Sequence, residues 1–178
     1  MAVDMWVQKA LEAGFAKAAP VETKKLKLLP EVRNMCAVNR CGQYGANWNC
    51  PPACGTLEEC EARLRQYERG IVVETVGQLE DSFDVEGMTA AAEQHKERFE
   101  ALFLQIKEAY PDVLALGAGG CRKCETCTYP DAPCRFPETL HASMEGYGMM
   151  VSDVCAACGI PYINGANTVT YVGCYLFE

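Results

Sequence analysis

The spacing of the cysteines constrains this chain more than any other feature. Twelve of its 178 residues are cysteine, and nine of them lie in two dense segments. Five cysteines occur in residues 36–60, none in 61–120, and four in 121–134. Such segments fold around disulfides in an oxidising compartment and around metal ions or clusters in a reducing one.

The N-terminal segment favours the reducing alternative. Its sequence, MAVDMWVQKALEAGF, lacks the basic start and the continuous apolar core of an export signal. The longest uncharged stretch, within 154–177, is interrupted by Pro161 and several polar residues, so no membrane span is expected. We therefore expect a cytoplasmic protein with no membrane association, and we interpret its cysteines as metal ligands.

The charge balance limits which binding partners are expected. The chain has 24 acidic and 16 basic residues, which gives a net charge of −8. Binding to nucleic acid or to an anionic membrane needs an excess of Lys and Arg, so both are excluded as expected partners. A redox partner protein with a basic surface remains compatible with this charge.

The remaining sequence is typical of one α/β (or α+β) domain that spans residues 1–178. Apolar periodicity predicts helices near 3–11, 57–70, 89–110 and 147–158, and strands at 71–76, 113–116 and 168–177. Thr56 and Glu59 form a capping box at the start of the second helix. Because helices and strands mix along the chain, we expect a mixed sheet flanked by helices, with two cysteine-rich metal-binding loops.

The second cysteine loop has the pattern C-x2-C-x2-C-x6-C. Its candidate metal ligands are Cys121, Cys124, Cys127 and Cys134. The two spacings among its first three cysteines are those of the bacterial ferredoxin ligand run, which favours a [4Fe–4S] cluster, whereas the gap to the fourth is six residues rather than three. Zinc is the alternative, although a four-cysteine zinc site usually pairs two separated C-x2-C units. Arg122, Lys123 and Arg135 lie beside these ligands and either offset the cluster charge or are ordinary solvated charges.

The first cysteine loop has five candidates for four ligand positions. The predicted ligands are Cys36, Cys41, Cys50 and Cys54. Cys60 falls on the apolar stripe of the following helix and is expected to be a core residue. If only three cysteines bind, one iron stays open to a substrate, which would favour an enzyme. Tyr44 and Trp48 either shield this cluster from water or are core aromatic residues.

The three late cysteines are expected in the core. Cys155 and Cys158 lie one turn apart on an apolar helical stripe, and Cys174 alternates with apolar residues on a strand. The helical pair also has the spacing of a redox dithiol or of a further metal site, and these alternatives stay open.

Several short motifs accompany the cysteines: Arg33-Asn34-Met35-Cys36, Cys41-Gly42, Tyr44-Gly45, Cys50-Pro51-Pro52, the C-x2-C-x2-C run, Pro133-Cys134-Arg135 with Pro137, and Ser143-Met144-Glu145-Gly146-Tyr147-Gly148. With these motifs the chain resembles a family of small, cysteine-rich, predicted metal-binding proteins with a domain of unknown function, found largely in anaerobic bacteria and archaea. Gly146 departs from the alanine expected there. The resemblance implies metal binding and supplies no reaction.

Four side chains in or beside these motifs are assigned to cofactor binding: Arg33, Arg135, Ser143 and Glu145. Ser143 is a candidate hydrogen-bond donor to a cluster sulfur, and Glu145 a candidate proton donor. In the alternative interpretation, both belong to the start of the helix at 147–158. Of the two histidines, His95 is expected on the surface, and His141 is a candidate proton relay near the second loop.

These observations lead to one main hypothesis and two alternatives. The main hypothesis is a cytoplasmic electron-transfer protein with two [4Fe–4S] clusters and a redox partner protein. The first alternative is an enzyme whose open-iron cluster acts on a small-molecule substrate. The second is a zinc-stabilised structural or interaction module. Catalytic residues are not assigned.

Overall fold

The computed structural model describes residues 2–178, which form five α-helices and a five-stranded sheet. In chain order these are α1 (Ala2–Glu12), β1 (Lys17–Glu22), α2 (Pro30–Ala37), α3 (Leu57–Leu64), β2 (Arg69–Gln78), α4 (Val85–Ala109), β3 (Leu114–Gly117), β4 (Ala142–Ser143), α5 (Val151–Ala157) and β5 (Thr168–Leu176). Short 3₁₀ helices occur at Thr23–Lys25 and Pro137–Thr139. No helix within residues 2–178 combines the length and hydropathy needed to cross a bilayer.

The sheet is mixed and has the strand order β1-β2-β5-β3-β4. The pairs β1–β2, β2–β5 and β5–β3 are antiparallel, and β3–β4 is parallel. The predicted α/β class and the mixed sheet flanked by helices are therefore confirmed. The central position of β5, the last strand, places the C-terminal segment in the middle of the sheet.

A hydrophobic core lies on each face of the sheet. Ile71 and Val73 point to the face covered by α1 and α4, and Val72 points to the face covered by α3 and α5. This alternation is the two-residue period of a strand buried on both faces. The result is a three-layer arrangement with the sheet in the middle.

Three helix boundaries differ from the prediction, and one of them is the start of α5, which lies at Val151 rather than near residue 147. Helix α3 ends at Leu64 rather than near Gly70, because Gly70 pairs with Leu176 in the sheet, and a Cβ atom there would collide with the Tyr175 carbonyl. Helix α4 begins at Val85 rather than near residue 89, because the carboxylate of Asp84 accepts a hydrogen bond from the Gly87 amide at 2.8 Å.

The surface position expected for His95 is wrong. His95 is only 9% exposed, its Nδ1 lies 3.0 Å from Thr75 Oγ1, and its ring stacks on Phe99. The charged residues around it occupy the outer face of α4, whereas His95 falls on the stripe that faces the sheet. The position of His95 within the helical repeat therefore predicts its burial better than the charged residues beside it in the sequence.

Candidate metal centre

The turn at 143–148 packs directly against the first cysteine loop. Cys36 Sγ lies 3.8 Å from the Glu145 carbonyl oxygen, and Cys54 Sγ lies 3.6 Å from that of Gly146. Strand β4 holds this turn in place: the Met144 amide donates to the Gly117 carbonyl at 2.7 Å, and the Ser143 amide to the Asn49 carbonyl at 3.2 Å. Residues more than 90 positions apart thus form one site, which we call the first site.

Arg33 extends from α2 into the first site. Its Nη1 atom donates to the Gly146 carbonyl at 2.6 Å and lies 3.9 Å from Cys54 Sγ, and its Nη2 donates to the Gly55 carbonyl at 2.9 Å. A fixed guanidinium beside a thiol favours the thiolate, which is the form that binds metal. Arg33 therefore lies at the first site, and its assignment to cofactor binding stays a prediction.

Cys54 and Cys60 form a thiol pair with unequal acidity. The pKa of Cys54 is lowered to about 7, because the Cys60 side chain hydrogen-bonds to it and Arg33 is close. The same interaction and burial raise the pKa of Cys60 far above its usual range. Cys60 is in the core, as expected, but it also contacts the first site, which the sequence pattern did not indicate.

The other cysteines of the first site differ in exposure. Cys41 is exposed, Cys36 is half-buried, and Cys50 is buried. Burial and the nearby Cys54 raise the pKa of Cys50 to about 11, partly opposed by hydrogen bonds from Ser143 and Asn47. Burial and Glu145 raise the pKa of Cys36. These thiols are close enough to raise one another's pKa, because two negative thiolates repel each other.

The second site is a cavity that all four cysteines of the second loop line: Cys121, Cys124, Cys127 and Cys134. The Phe136 amide lies 3.4 Å from Cys134 Sγ and donates to it. Arg135 also lines the cavity, and its Nη1 donates to the Thr126 carbonyl at 2.8 Å. Arg135 therefore crosses the loop beside the thiols, although its side chain remains exposed to solvent.

Trp48 comes from the first loop but lies at the second site. Its ring lines the second cavity, its Nε1 donates to the Ala132 carbonyl at 3.1 Å, and it packs edge-on against Tyr129. Tyr44, the other predicted shield, is 37% exposed. Lys123 pairs with Glu100 of α4 at 2.8 Å, so its charge is not simply solvated.

Asn49 connects the two sites and was not identified in the sequence. It is 6% exposed, and its Oδ1 accepts hydrogen bonds from the Cys121 amide at 3.0 Å and from Cys50 Sγ at 3.1 Å. Its Nδ2 donates to the Gly119 carbonyl at 3.3 Å. The only local signal was an amide side chain directly before a predicted ligand.

Ser143 and Glu145 lie at the first site, and neither starts a helix. The Gly146 amide donates to Ser143 Oγ at 2.9 Å, whereas α5 begins only at Val151, so the helix-capping alternative for Ser143 is wrong. The Glu145 carboxylate accepts a hydrogen bond from the Gly119 amide at 3.1 Å, and burial raises its pKa. Glu145 thus joins the 143–148 turn to the bend that precedes Cys121.

The three late cysteines pack in the core below α5. Cys155 and Cys174 are fully buried, and Cys158 packs against the same cluster. Burial raises the pKa of Cys155 to about 12 and that of Cys158 to about 11, so both are neutral thiols. This agrees with their expected role as core residues. The neighbouring Glu74 is fully buried and lies 3.5 Å from Lys17 Nζ.

The donor chemistry of both sites suits a soft metal centre. All twelve cysteines have free thiols. Thiolates select zinc, copper(I) and iron–sulfur clusters over hard cations such as magnesium or calcium. Within residues 2–178, no three His, Cys, Asp or Glu side chains have the geometry needed to coordinate one metal ion. The thiols of each site are therefore neighbours, but they are not arranged around a common centre.

Comparison with known families gives one match. A family profile described as predicted metal-binding protein (DUF2284) matches residues 19–177. The chain belongs to this family. The match includes both cysteine loops and the 143–148 turn, so the DUF2284 assignment agrees with the sites described above. No curated protein and no solved structure matches the chain.

Proposed function

We propose that this DUF2284 protein binds two [4Fe–4S] clusters and transfers electrons. The cavity lined by all four cysteines of the second loop is the observation that carries the proposal. Bound there, a cluster would supply one-electron redox chemistry. The four thiols, the Phe136 amide and the Arg135 guanidinium would hold it and balance its charge.

The first site supports a second cluster. Its proposed ligands are Cys36, Cys41, Cys50 and Cys54. Cys54 is preferred over Cys60 because the Cys60 thiol donates to it and Arg33 stabilises its thiolate. The 143–148 turn, from a distant part of the sequence, packs against the site through its contacts with Cys36 and Cys54.

The short connection between the sites supports transfer rather than storage of electrons. One carboxamide, that of Asn49, contacts a proposed ligand residue of each site, Cys50 and Cys121. The net charge of −8 would attract a basic redox partner in the cytoplasm, where we expect this protein to function. The zinc alternative does not need this proximity, because a structural ion acts alone.

The first experiment is an anaerobic count of iron, acid-labile sulfide and zinc on freshly purified protein, with its visible spectrum. Two four-iron clusters predict about eight irons and eight sulfides per chain. About two zincs without sulfide would contradict the redox proposal and support a structural module. About four irons would contradict the two-cluster form.

Single substitutions then assign the ligands. We expect Cys134→Ala to remove about four irons from the second site, and Cys36→Ala to remove about four from the first. Cys174→Ala is the matched control, because Cys174 is a fully buried core thiol outside both cysteine loops and is not a proposed ligand. Loss of iron in the control alone, or in none of the variants, would overturn the ligand assignment.

A further inference from the structure

We propose that Cys54 and Cys60 form a reversible disulfide when a hydroperoxide reaches the first site in its metal-free state. The first loop has five cysteines for four ligand positions, and Cys60 is the one that is not a proposed ligand. Reduction of the disulfide would restore the Cys54 thiol, so the pair would keep this ligand from irreversible oxidation. The inference goes beyond the proposed function, because it does not depend on which metal the site holds.

Three contacts hold the two thiols side by side. Arg33 Nη1 lies 3.9 Å from Cys54 Sγ and 4.0 Å from Cys60 Sγ, so one guanidinium contacts both sulfurs. Cys60 Sγ also lies 3.5 Å from the Cys54 carbonyl oxygen, and the two thiols hydrogen-bond to each other. A disulfide requires the sulfurs to approach to about 2.05 Å, and these contacts place them for that approach.

The two thiols differ in exposure, and this difference assigns them different steps of the reaction. Cys54 is half-buried and lines a groove that opens to solvent. Cys60 is only 2% exposed and packs in the core cluster below α3. A small oxidant from solvent therefore reacts with Cys54 first, and Cys60 reacts with the oxidised Cys54.

The reaction has two steps. In the first, the Cys54 sulfur, with Arg33 beside it, attacks one oxygen of the hydroperoxide; the O–O bond breaks, an alcohol leaves, and Cys54 becomes a sulfenic acid. In the second, the Cys60 sulfur attacks the Cys54 sulfur; the S–O bond breaks, and the hydroxyl leaves as water with the Cys60 proton. Overall, the two thiols lose two electrons and two protons, and the hydroperoxide is reduced to an alcohol and water.

Cys60 is a better partner for Cys54 than the other thiols of the first site. Cys36 and Cys50 interact with Cys54 through charge alone, whereas Cys60 also hydrogen-bonds to it. The Cys50 thiol donates instead to Asn49 Oδ1 at 3.1 Å. The geometry therefore favours one disulfide over the others that five neighbouring cysteines could form.

Treatment with hydrogen peroxide tests the inference on two samples of the full chain, one purified anaerobically and one depleted of metal by a chelator. Free thiols are then alkylated, and disulfides are mapped by mass spectrometry. In the depleted sample we expect a Cys54–Cys60 bond as the main product, with a loss of about 2 Da that dithiothreitol reverses. Absence of this bond, or pairing of Cys54 mainly with Cys36 or Cys50, would overturn the inference.

The undepleted sample distinguishes this inference from the proposed function. Metal retained at the first site should slow formation of the bond, because Cys54 is then a ligand. Iron and zinc are counted in parallel. Equal rates in both samples, with metal retained in one, would contradict Cys54 as a ligand, whereas only failure of the depleted sample to form the bond contradicts the disulfide.

A variant without the second thiol tests its protective role. In metal-depleted Cys60→Ser, Cys54 should proceed to sulfinic acid, a gain of about 32 Da that dithiothreitol does not reverse. Cys174→Ser is the matched control, because it makes the same change at an equally buried thiol outside the first loop, and it should form the Cys54–Cys60 bond as the unaltered chain does. Oxidation of Cys54 that is as reversible in Cys60→Ser as in the unaltered chain would overturn the inference.

Discussion

At the scale of single residues, Asn49 has the most consequential position. Its side chain accepts from two groups and donates to a third, and each partner belongs to a segment that carries or precedes a proposed ligand. A buried amide with three hydrogen bonds fixes geometry more strictly than an apolar contact of the same size. Asn49 therefore sets the distance between the two sites.

Replacement of Asn49 tests this role. Asn49→Ala should lower the free energy of unfolding by about 1–3 kcal/mol, because the Cys121 amide and the Gly119 carbonyl lose a buried partner. It should also weaken metal retention at the second site during dialysis against a chelator. Asn34→Ala, at an exposed position of α2, is the control. Equal retention in both variants would contradict the bridging role.

Gly146 shows how one atom affects the first site. A Cβ atom there would lie 2.8 Å from Ser143 Oγ and 3.3 Å from Cys54 Sγ. The nearest atom is a rotatable hydroxyl, so an alanine at this position, as expected from the family pattern, requires Ser143 to turn away from the Gly146 amide. This chain keeps that hydrogen bond because it has glycine.

At the scale of elements, the start of helix α3 determines where Cys60 meets Cys54. The Thr56 hydroxyl accepts from the Glu59 amide at 3.2 Å, and the Glu59 carboxylate accepts from the Thr56 amide at 2.8 Å. This confirms the capping box predicted from the sequence. Since Cys54 precedes the cap by two residues, the cap also limits the movement of a proposed ligand.

Removal of this cap should affect stability and the first site together. Thr56→Ala should cost about 1 kcal/mol of unfolding free energy and lower metal retention at the first site only. Asp84→Ala is the matched comparison, because it removes the cap of α4 at a similar cost, away from both sites. Equal metal retention in the two variants would show that the α3 cap acts on stability alone.

At the scale of the whole molecule, the buried histidine between α4 and the sheet links folding to pH. Burial, helped by Arg98, lowers the pKa of His95 from 6.5 to about 4. The unfolded chain therefore binds one more proton than the folded chain between these two values, and stability falls as the pH drops through this range. Above pH 6.5 the histidine is neutral in both states and has no effect.

Denaturant unfolding at about pH 7.5 and about pH 5 measures this contribution. His95 should account for about 2 kcal/mol of the stability lost between these conditions. In His95→Gln, which retains a polar group for Thr75, the loss should be smaller by that amount. Any acid release of metal occurs in both proteins and cancels in the comparison. An unchanged pH dependence would show that His95 does not titrate in this range.

The secondary structure was predictable wherever a local pattern decided it. Strands β2 and β5, the burial of Cys174 and the capping box followed from two-residue and helical periods and from one spacing rule. The C-terminal boundary of α3 was not predictable, because Gly70 belongs to a strand whose partner residue lies more than 100 residues later in the chain. Pairing over such a separation leaves no local signal.

The candidate site also has some features that the sequence predicted and others that only the structure shows. The sequence by itself determined the two groups of cysteines except for the contact of Cys60 with the first site, because ligand spacing within a loop is a local property. The identity of these cysteines as metal ligands stays a prediction. Only the tertiary structure decided that the 143–148 turn covers the first loop, that Trp48 serves the second, and that Asn49 joins them. These contacts depend on the order of strands in the sheet, and side-chain periodicity does not encode that order.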